Sequence, residues 1–226
     1  MFLGSAFAVV ERRSHDPVIP PRLLRIRGVA AGNAVVLLAG LCVDGLLLLS
    51  TRYSQQVLGA GPLAFGVIAA VMTVTSVAGV AIGQNLVSRF GIRVVSGVGM
   101  TLMITAGTLL TQIGEQGVTV LVVGMALFGP GMGMAFVAGQ IACLAQVSEA
   151  DAGTASGLEE TSFAVGTTLG TAVASATLTA AATAAVSTGA VGTAFAVVSV
   201  AALLGLPVSR LLPHVAAVAT PGSVSR

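Results

Sequence analysis

The sequence predicts an all-α membrane protein built as a bundle of six transmembrane helices. Of its 226 residues, 55% are apolar and only 8% are charged, and the mean hydropathy is +1.01. So few charges cannot solvate the surface of a globular protein. The apolar residues fall into six stretches, each long enough to cross a hydrocarbon layer of ~30 Å. These stretches are residues 28–50, 63–87, 94–113, 118–142, 148–182 and 189–212.

The chain divides into three parts. Residues 1–27 are expected to hold the end of a preceding helix and a connector, because the first ten residues are apolar but too few to span a bilayer. Residues 28–212 form the six-helix bundle, and residues 213–226 form a C-terminal tail. The first part indicates that the chain is a piece of something longer. The alternative is that the opening residues lie at the membrane interface.

The arginines predict the orientation in the membrane. Nine of the ten basic residues lie in or beside the connector, the 88–93 loop, the 145–152 loop and the tail. Alternating spans bring these segments to one side, which the positive-inside rule makes cytoplasmic in a multi-pass protein of the cell membrane. Only Arg52 falls on the other side. The net charge of +2 is too small to indicate nucleic-acid binding. The apolar spans indicate that the partner surrounding the chain is membrane lipid.

Two adjacent acids, Glu159 and Glu160, lie inside the fifth span. Ser148 and Asp151 have the spacing of a helix cap, so a helix is expected to begin near Glu149. The two glutamates then lie ~15 Å along that helix. Carboxylates at such depth mark ion or substrate pathways. The alternative is a shallower helix on which the pair only touches the inner interface.

Helical spacing separates the two glutamates. Glu160 shares a helical face with polar residues, whereas Glu159 shares its face with small residues suited to a helix contact. We therefore expect Glu160 to be the proton- and substrate-coupling carboxylate and Glu159 to support it. The face of Glu160 carries Ala164, Thr167, Thr168, Thr171 and Ser175, and that of Glu159 carries Phe163, Gly166, Gly170 and Ala174.

Polar residues in other spans extend the candidate site. Asn33, Gly40 and Asp44 fall on one face of the first span, and Asp44 is a third intramembrane acid that could bind a proton or a cation. Pairing with a donor across a helix contact, or contact with water at the outer rim, is the alternative for Asp44. Thr105 belongs to a polar stripe in the third span, although threonines also satisfy their own helix backbone. The candidate cavity-lining residues are Asn33, Thr105, Thr167 and Thr171.

The sequence contains no pattern typical of an enzyme, a metal site or a cofactor site. Cys42 and Cys143 lie in or beside apolar spans without a metal-ligand neighbour, and His15 and His214 lie in the polar flanks. No nucleophile motif or phosphate-binding loop is present. We therefore predict a non-enzyme without metal or cofactor, in which both cysteines are packing residues. Pro130, in a glycine-rich part of the fourth span, either lets its helix bend or belongs to a tightly packed contact.

Several segments resemble a known family. The 88–93 loop (SRFGIR), the stretch ALFGPGMGMAFV and the run SEADAGTASGLEETSFAVGTTLGTAV resemble the C-terminal half of a major facilitator superfamily transporter. The connector DPVIPPRLLRIRG and the stretch from Tyr53 to Gly59 are similar to those of its fourteen-helix drug/proton antiporters, and the Glu159-Glu160 pair to the subgroup that exports quaternary ammonium compounds. The resemblance implies one half of that fold, proton-coupled multidrug efflux, and a gating loop containing Arg89, Gly91 and Arg93. Ser88 stands where the family usually has an Asp.

Two classes of function therefore remain. The first is a secondary transporter that exchanges protons for a small lipophilic, cationic substrate and works with a missing N-terminal half or a second bundle. Exporters of other small metabolites belong to the same class. The second is a non-transporting membrane subunit, truncated or accessory, because transport in this superfamily normally needs two bundles and the chain supplies one.

Overall fold

A computed structural model describes residues 21–112, 117–181 and 188–213, and all of the regular structure in these ranges is helical. Six helices are long and apolar enough to cross a membrane, which confirms the predicted six-helix fold. The opening 20 residues, the two histidines and the tail beyond residue 213 lie outside the described residues. The helices are α1 (Pro21–Leu24), α2 (Arg27–Arg52), α3 (Pro62–Phe90), α4 (Ile92–Thr111), α5 (Gly117–Leu144), α6 (Glu149–Ala181) and α7 (Thr188–Leu211).

The first span is longer than the apolar run predicts. After α2, the chain continues as a π-helical turn at Tyr53–Val57, in which the Leu58 amide donates to the Tyr53 carbonyl over 3.1 Å. Tyr53 is buried, and its ring lies against Gly117 at the start of α5. The hydropathy pattern predicts that this span ends at Ser50, because the turn contains polar residues. In the structure the buried tyrosine extends the helix by about two turns.

Helices α2 and α5 form the centre of the bundle. Helix α2 packs against α5, α6 and α7, and α5 packs against α2, α3 and α4, while α4 and α7 pack against each other. If each of α2, α3 and α4 is exchanged with α5, α6 and α7 respectively, the same helix pairs remain in contact. Such symmetry is expected for two related three-helix units. Helices α3 and α6 lie on either side of the central pair and are the least buried spans.

Glycines let the helix backbones approach each other closely. On α6, Gly166 and Gly170 lie directly against the carbonyl oxygens of Leu37 and Leu41 on α2, where no Cβ would fit. On the opposite side of this contact, a Cβ at Gly40 would lie 2.7 Å from the Phe163 carbonyl oxygen. The predicted small-residue face of α6 is therefore a helix contact, made largely by backbone atoms.

The glycine-rich run around Pro130 is a packing surface on two sides. Gly129 and Gly133 lie against the backbone of α3. A Cβ added at Gly131 would lie 2.7 Å from the Gly99 carbonyl oxygen of α4. Pro130 itself faces Gly79 on α3, and α5 remains one helix through the proline. Neighbouring helices thus occupy the space around this run, as the tight-packing interpretation predicts.

The loops that carry the arginines lie at one end of the bundle. Arg93, at the start of α4, donates from Nε to the Leu212 carbonyl oxygen just beyond α7. The Gly28 amide, at the start of α2, donates to the Gln146 side chain after α5 over 3.3 Å. These contacts join the four helix ends that the arginine distribution assigns to one side of the membrane.

Gly91 alone separates α3 from α4. Its φ of 82° and ψ of 164° end one helix and begin the next, and its amide donates to the Val87 carbonyl oxygen over 2.9 Å. This backbone region is essentially restricted to glycine. The sharp connection explains why a glycine is required between the two arginines of the 88–93 loop.

Gly91→Ala should destabilise the bundle by about 1–3 kcal/mol, the typical cost of a residue forced into such a conformation. Thermal unfolding in detergent should show a lower midpoint. Gly66→Ala is the matched control, because Gly66 lies within α3 with nothing near its added Cβ, so the change should be neutral or slightly stabilising. Equal midpoints for the parent and Gly91→Ala would contradict this account.

Candidate functional site

Helix α6, which carries both glutamates, has a side-chain hydrogen bond and an ion pair at its start. The helix begins at Glu149, as predicted, and the Ser148 hydroxyl lies 2.9 Å from an Asp151 carboxylate oxygen. The other Asp151 oxygen accepts from the Arg22 guanidinium at 2.8 Å. Arg22 is largely exposed, so this ion pair adds little stability. It nevertheless ties the connector to the beginning of α6.

Glu159 lies inside the bundle, on the side of α6 that faces α2 and α5. Its exposed fraction is only 4%, and within the described ranges its Oε1 atom has no hydrogen-bond partner. The titratable groups close enough to interact with it electrostatically include Glu160 on the same helix and Cys143 on α5. An unpaired buried carboxylate is costly and is typical of a functional position.

A small polar network lies beside Glu159 and joins three helices. Asn33 on α2 donates to the Val29 carbonyl oxygen over 2.7 Å and to the Cys143 sulfur over 3.4 Å. The Asn33 side-chain oxygen accepts from the Ser162 hydroxyl of α6 over 2.7 Å. Asn33 is therefore a buried bridge between α2, α5 and α6 and does not line an open cavity in this arrangement.

Glu160 points ~100° away from Glu159, onto the open face of α6. Its side chain is exposed, as are those of Thr168, Thr171 and Ser175 on the same stripe. Thr167 is half-buried and donates to the Ala164 carbonyl oxygen over 3.0 Å. The two glutamates thus lie on different faces of one helix turn, one buried and one exposed.

Asp44 lies on the face of α2 that also carries Asn33 and Gly40. Because Asn33 and Gly40 both contact α6, and Asp44 is one turn beyond Gly40, this face follows the α2–α6 contact toward the other end of the bundle. Asp44 is half-buried there. The structure therefore groups Asn33, Asp44 and Glu159 along one helix pair.

Thr105 is not brought near the glutamates. It is exposed on α4, where its hydroxyl donates to the Thr101 carbonyl oxygen over 2.8 Å. Helix α4 packs against α5 and α7, whereas α6 packs mainly against α2. The hydroxyl of Thr105 bonds to a carbonyl of its own helix, which is the alternative explanation for the threonine stripe.

The predicted gating loop contains two arginines with different surroundings. Arg89 is exposed at the end of α3, while Arg93 is half-buried and bonded to the Leu212 carbonyl oxygen. The Ser88 hydroxyl donates to the Asn85 carbonyl oxygen over 2.7 Å, within its own helix. In this structure the loop therefore links α4 to the end of α7 through Arg93.

Sequence reasoning missed Cys143 and Ser162 as the hydrogen-bond partners of Asn33. Cys143 was assigned to packing, which its full burial supports, but its sulfur also accepts from Asn33. These pairs are 110 and 129 residues apart, so no local spacing could reveal them. Among the described residues, no group of three His, Cys, Asp or Glu side chains could hold a metal ion.

Residues 1–223 match the sequence model of the Major Facilitator Superfamily. The chain belongs to the Major Facilitator Superfamily. It is thus a multi-pass membrane protein of a transporter family and not an enzyme, and its six-helix bundle is consistent with half of the superfamily fold.

Several proteins with similar sequences are named for drug or antibiotic resistance or transport. The multidrug resistance protein Stp of Mycobacterium tuberculosis is 29% identical over 76% of this chain and 32% of its own length. The puromycin resistance protein pur8 of Streptomyces alboniger is 31% identical over 74% of this chain and 34% of its own. The probable actinorhodin transporter of Streptomyces coelicolor is 35% identical over 72% of this chain and 29% of its own length. The chain therefore spans about a third of the length of these relatives.

The opposite surroundings of the two glutamates should be visible by thiol labelling. In detergent, Glu160→Cys should react with a polar maleimide at least about ten-fold faster than Glu159→Cys, because the buried position requires local opening of the bundle. The parent chain supplies the baseline, since Cys42 and Cys143 are both fully buried. Equal labelling rates at the two positions would contradict the orientation of α6.

Proposed function

We propose that this chain is the C-terminal half of a proton-coupled exporter of lipophilic, cationic drugs or antibiotics, of the fourteen-helix antiporter type. The observation that carries the proposal is the position of Glu160, an acid that lies eleven residues into a membrane helix and is exposed on a polar face. A lipid-facing carboxylate at that depth would cost several kcal/mol, so the face needs water or protein opposite it. A substrate cavity between two bundles provides both.

In the proposed cycle, Glu160 binds either a proton or the cationic substrate, but not both. A proton neutralises the carboxylate and removes the attraction for a cation, and loss of the proton restores it. Thr171 and Ser175 lie on the same exposed stripe and supply hydroxyl groups that keep the cavity hydrated. Thr167 lines its edge, where α6 meets α2.

Glu159 has a supporting role in this proposal. Its burial beside Asn33 and Cys143 couples the protonation site to the contact between α2, α5 and α6. A shift of α6 relative to α2 would change the surroundings of both glutamates together. Asp44, farther along the same helix pair, is the second candidate for a proton-binding acid.

The relatives support an exporter of drugs or antibiotics but do not fix one compound. They are named for resistance to, or export of, several compounds, including tetracenomycin C and puromycin. The cationic character of the substrate rests on Glu160 alone, so export of another small metabolite is the alternative, and a non-transporting accessory subunit is the other. The arginine-bearing end is proposed to face the cytoplasm of a cell membrane.

The chain alone should not transport. An alternating-access site lies between two repeats of helices, and this chain supplies one six-helix unit. Purified and reconstituted in proteoliposomes with an imposed proton gradient, it should move no more ethidium than protein-free vesicles. Co-reconstitution with a complementary N-terminal bundle should restore uptake. Gradient-dependent transport by the chain alone would refute the half-transporter proposal and indicate a functional homodimer.

Neutralising the two glutamates should have unequal effects in the complete assembly. Glu160→Gln keeps the size of the side chain but removes the titrating group, so substrate-induced proton release should fall to the level of empty vesicles. Glu159→Gln should reduce release less, and should leave stability unchanged or higher, because it removes the cost of an unpaired buried charge.

Glu149→Gln is the matched control, since Glu149 is exposed at the start of the same helix. Proton release, followed with a pH-sensitive dye, should match that of the parent protein. Loss of release in Glu159→Gln together with full release in Glu160→Gln would exchange the two roles.

A further inference from the structure

A groove runs along the outside of the bundle between α4 and α7, at the arginine-bearing end. Its volume is about 470 Å³. Two arginines, Arg93 and Arg210, lie at its mouth, where α4 begins and α7 ends. From Arg93 to Leu102 the groove follows α4 for nine residues, or ~13 Å along the helix axis. Beyond the mouth the side chains are mainly apolar: Val94, Val98, Leu102 and Leu206.

The positive charge at the mouth is not neutralised by nearby acids on the helices that form it. Neither α4 nor α7 contains an aspartate or a glutamate. Arg93 uses its Nε to bond the Leu212 carbonyl oxygen, which holds the guanidinium in place and leaves its two terminal nitrogens as donors. Arg210 is exposed. Two guanidinium groups at the rim of a membrane helix pair form a site for an anionic oxygen group.

The apolar interior of the groove decides which anion fits. A free inorganic anion would use only the mouth and would leave ~13 Å of apolar channel empty. Val94 and Val98 are 49% and 40% exposed, so this part of α4 presents an apolar surface to its surroundings. Gly97 deepens the groove, because it has no side chain and the space beside it is open. A Cβ added at Gly97 would have only the Ser209 hydroxyl oxygen within 4 Å, at 3.8 Å. A molecule with an anionic head and an alkyl chain matches both regions.

We propose that the α4–α7 groove binds an anionic phospholipid, with its phosphate between Arg93 and Arg210 and one acyl chain along Val98, Leu102 and Leu206. The lipid then bridges the start of α4 and the end of α7, the same two segments that the Arg93–Leu212 hydrogen bond joins. Basic pockets between membrane helices bind anionic headgroups through this combination of charge and apolar surface. The proposal is independent of the transported substrate, because the groove lies on α4 and α7, away from the glutamates of α6.

Native mass spectrometry of the full chain tests the charge requirement. Dioleoylphosphatidylglycerol should bind more tightly than dioleoylphosphatidylcholine. Arg93→Gln and Arg210→Gln should each weaken binding of the anionic lipid about five-fold, the effect of removing one basic residue near a membrane surface. Arg25→Gln is the control: Arg25 is exposed at the same end and does not line the groove.

Arg93 also holds the end of α7 through its hydrogen bond to Leu212, so Arg93→Gln could unfold the protein. Within the described part of the chain Arg210 has no such contact to lose, so Arg210→Gln tests the charge requirement on its own. Equal affinity for the two lipids, or unchanged phosphatidylglycerol binding in Arg210→Gln, would overturn the proposal. Displacement of the lipid by millimolar inorganic phosphate would also overturn it, because the site would then recognise a soluble anion.

A second variant tests the apolar part without changing the charge. Gly97→Phe should fill the groove and weaken binding of the dioleoyl lipid at least about five-fold. The thermal unfolding midpoint without added lipid should match that of the parent, since the new side chain enters open space. An unchanged affinity for the dioleoyl lipid in a folded Gly97→Phe protein would contradict the placement of the acyl chain.

Discussion

The close contact between the backbones of α2 and α6 determines the arrangement of the candidate site. Inside a bilayer the lipid tails are as apolar as leucine, so helices associate through packing and not through the burial of apolar surface. Gly166 and Gly170 provide that packing by resting on the carbonyl oxygens of Leu37 and Leu41. Larger side chains at these glycines would force the helices apart. The contact therefore fixes the rotation of α6 about its own axis.

Once that rotation is fixed, the two glutamates must differ. Consecutive residues on a helix point ~100° apart, so the glycine contact turns Glu159 inward and leaves Glu160 on the open side. The inward position adjoins the bridge that Asn33 makes between Cys143 and Ser162. A movement of α6 would disturb this bridge and the buried acid together. This is the physical basis for assigning the two adjacent carboxylates different tasks in the proposed cycle.

The sequence predicts the helices and their faces better than it predicts their neighbours. Hydropathy located all six spans, the Ser148–Asp151 spacing located the start of α6, and helical periodicity identified the small-residue face that contacts α2. Which helices pack together depends on contacts between distant segments, and periodicity within one helix does not encode them. For that reason the Asn33–Cys143 contact was missed, and Thr105 was grouped with residues that lie on the other side of the bundle. The π turn at Tyr53–Val57 escaped prediction because a single buried tyrosine, and not an apolar run, extends the helix.

The two least buried helices carry different exposed faces, and this difference bears on what lies opposite them. On α3 the exposed residues include Leu63, Val67 and Val74, which either lipid or protein can cover. On α6 the exposed stripe contains Glu160 and Thr171, and a carboxylate in contact with lipid at that depth would cost several kcal/mol. Lipid is therefore an unfavourable neighbour for α6, whereas a second bundle enclosing a hydrated cavity satisfies both faces. This asymmetry supports the proposal of a half-transporter more directly than the length of the chain does.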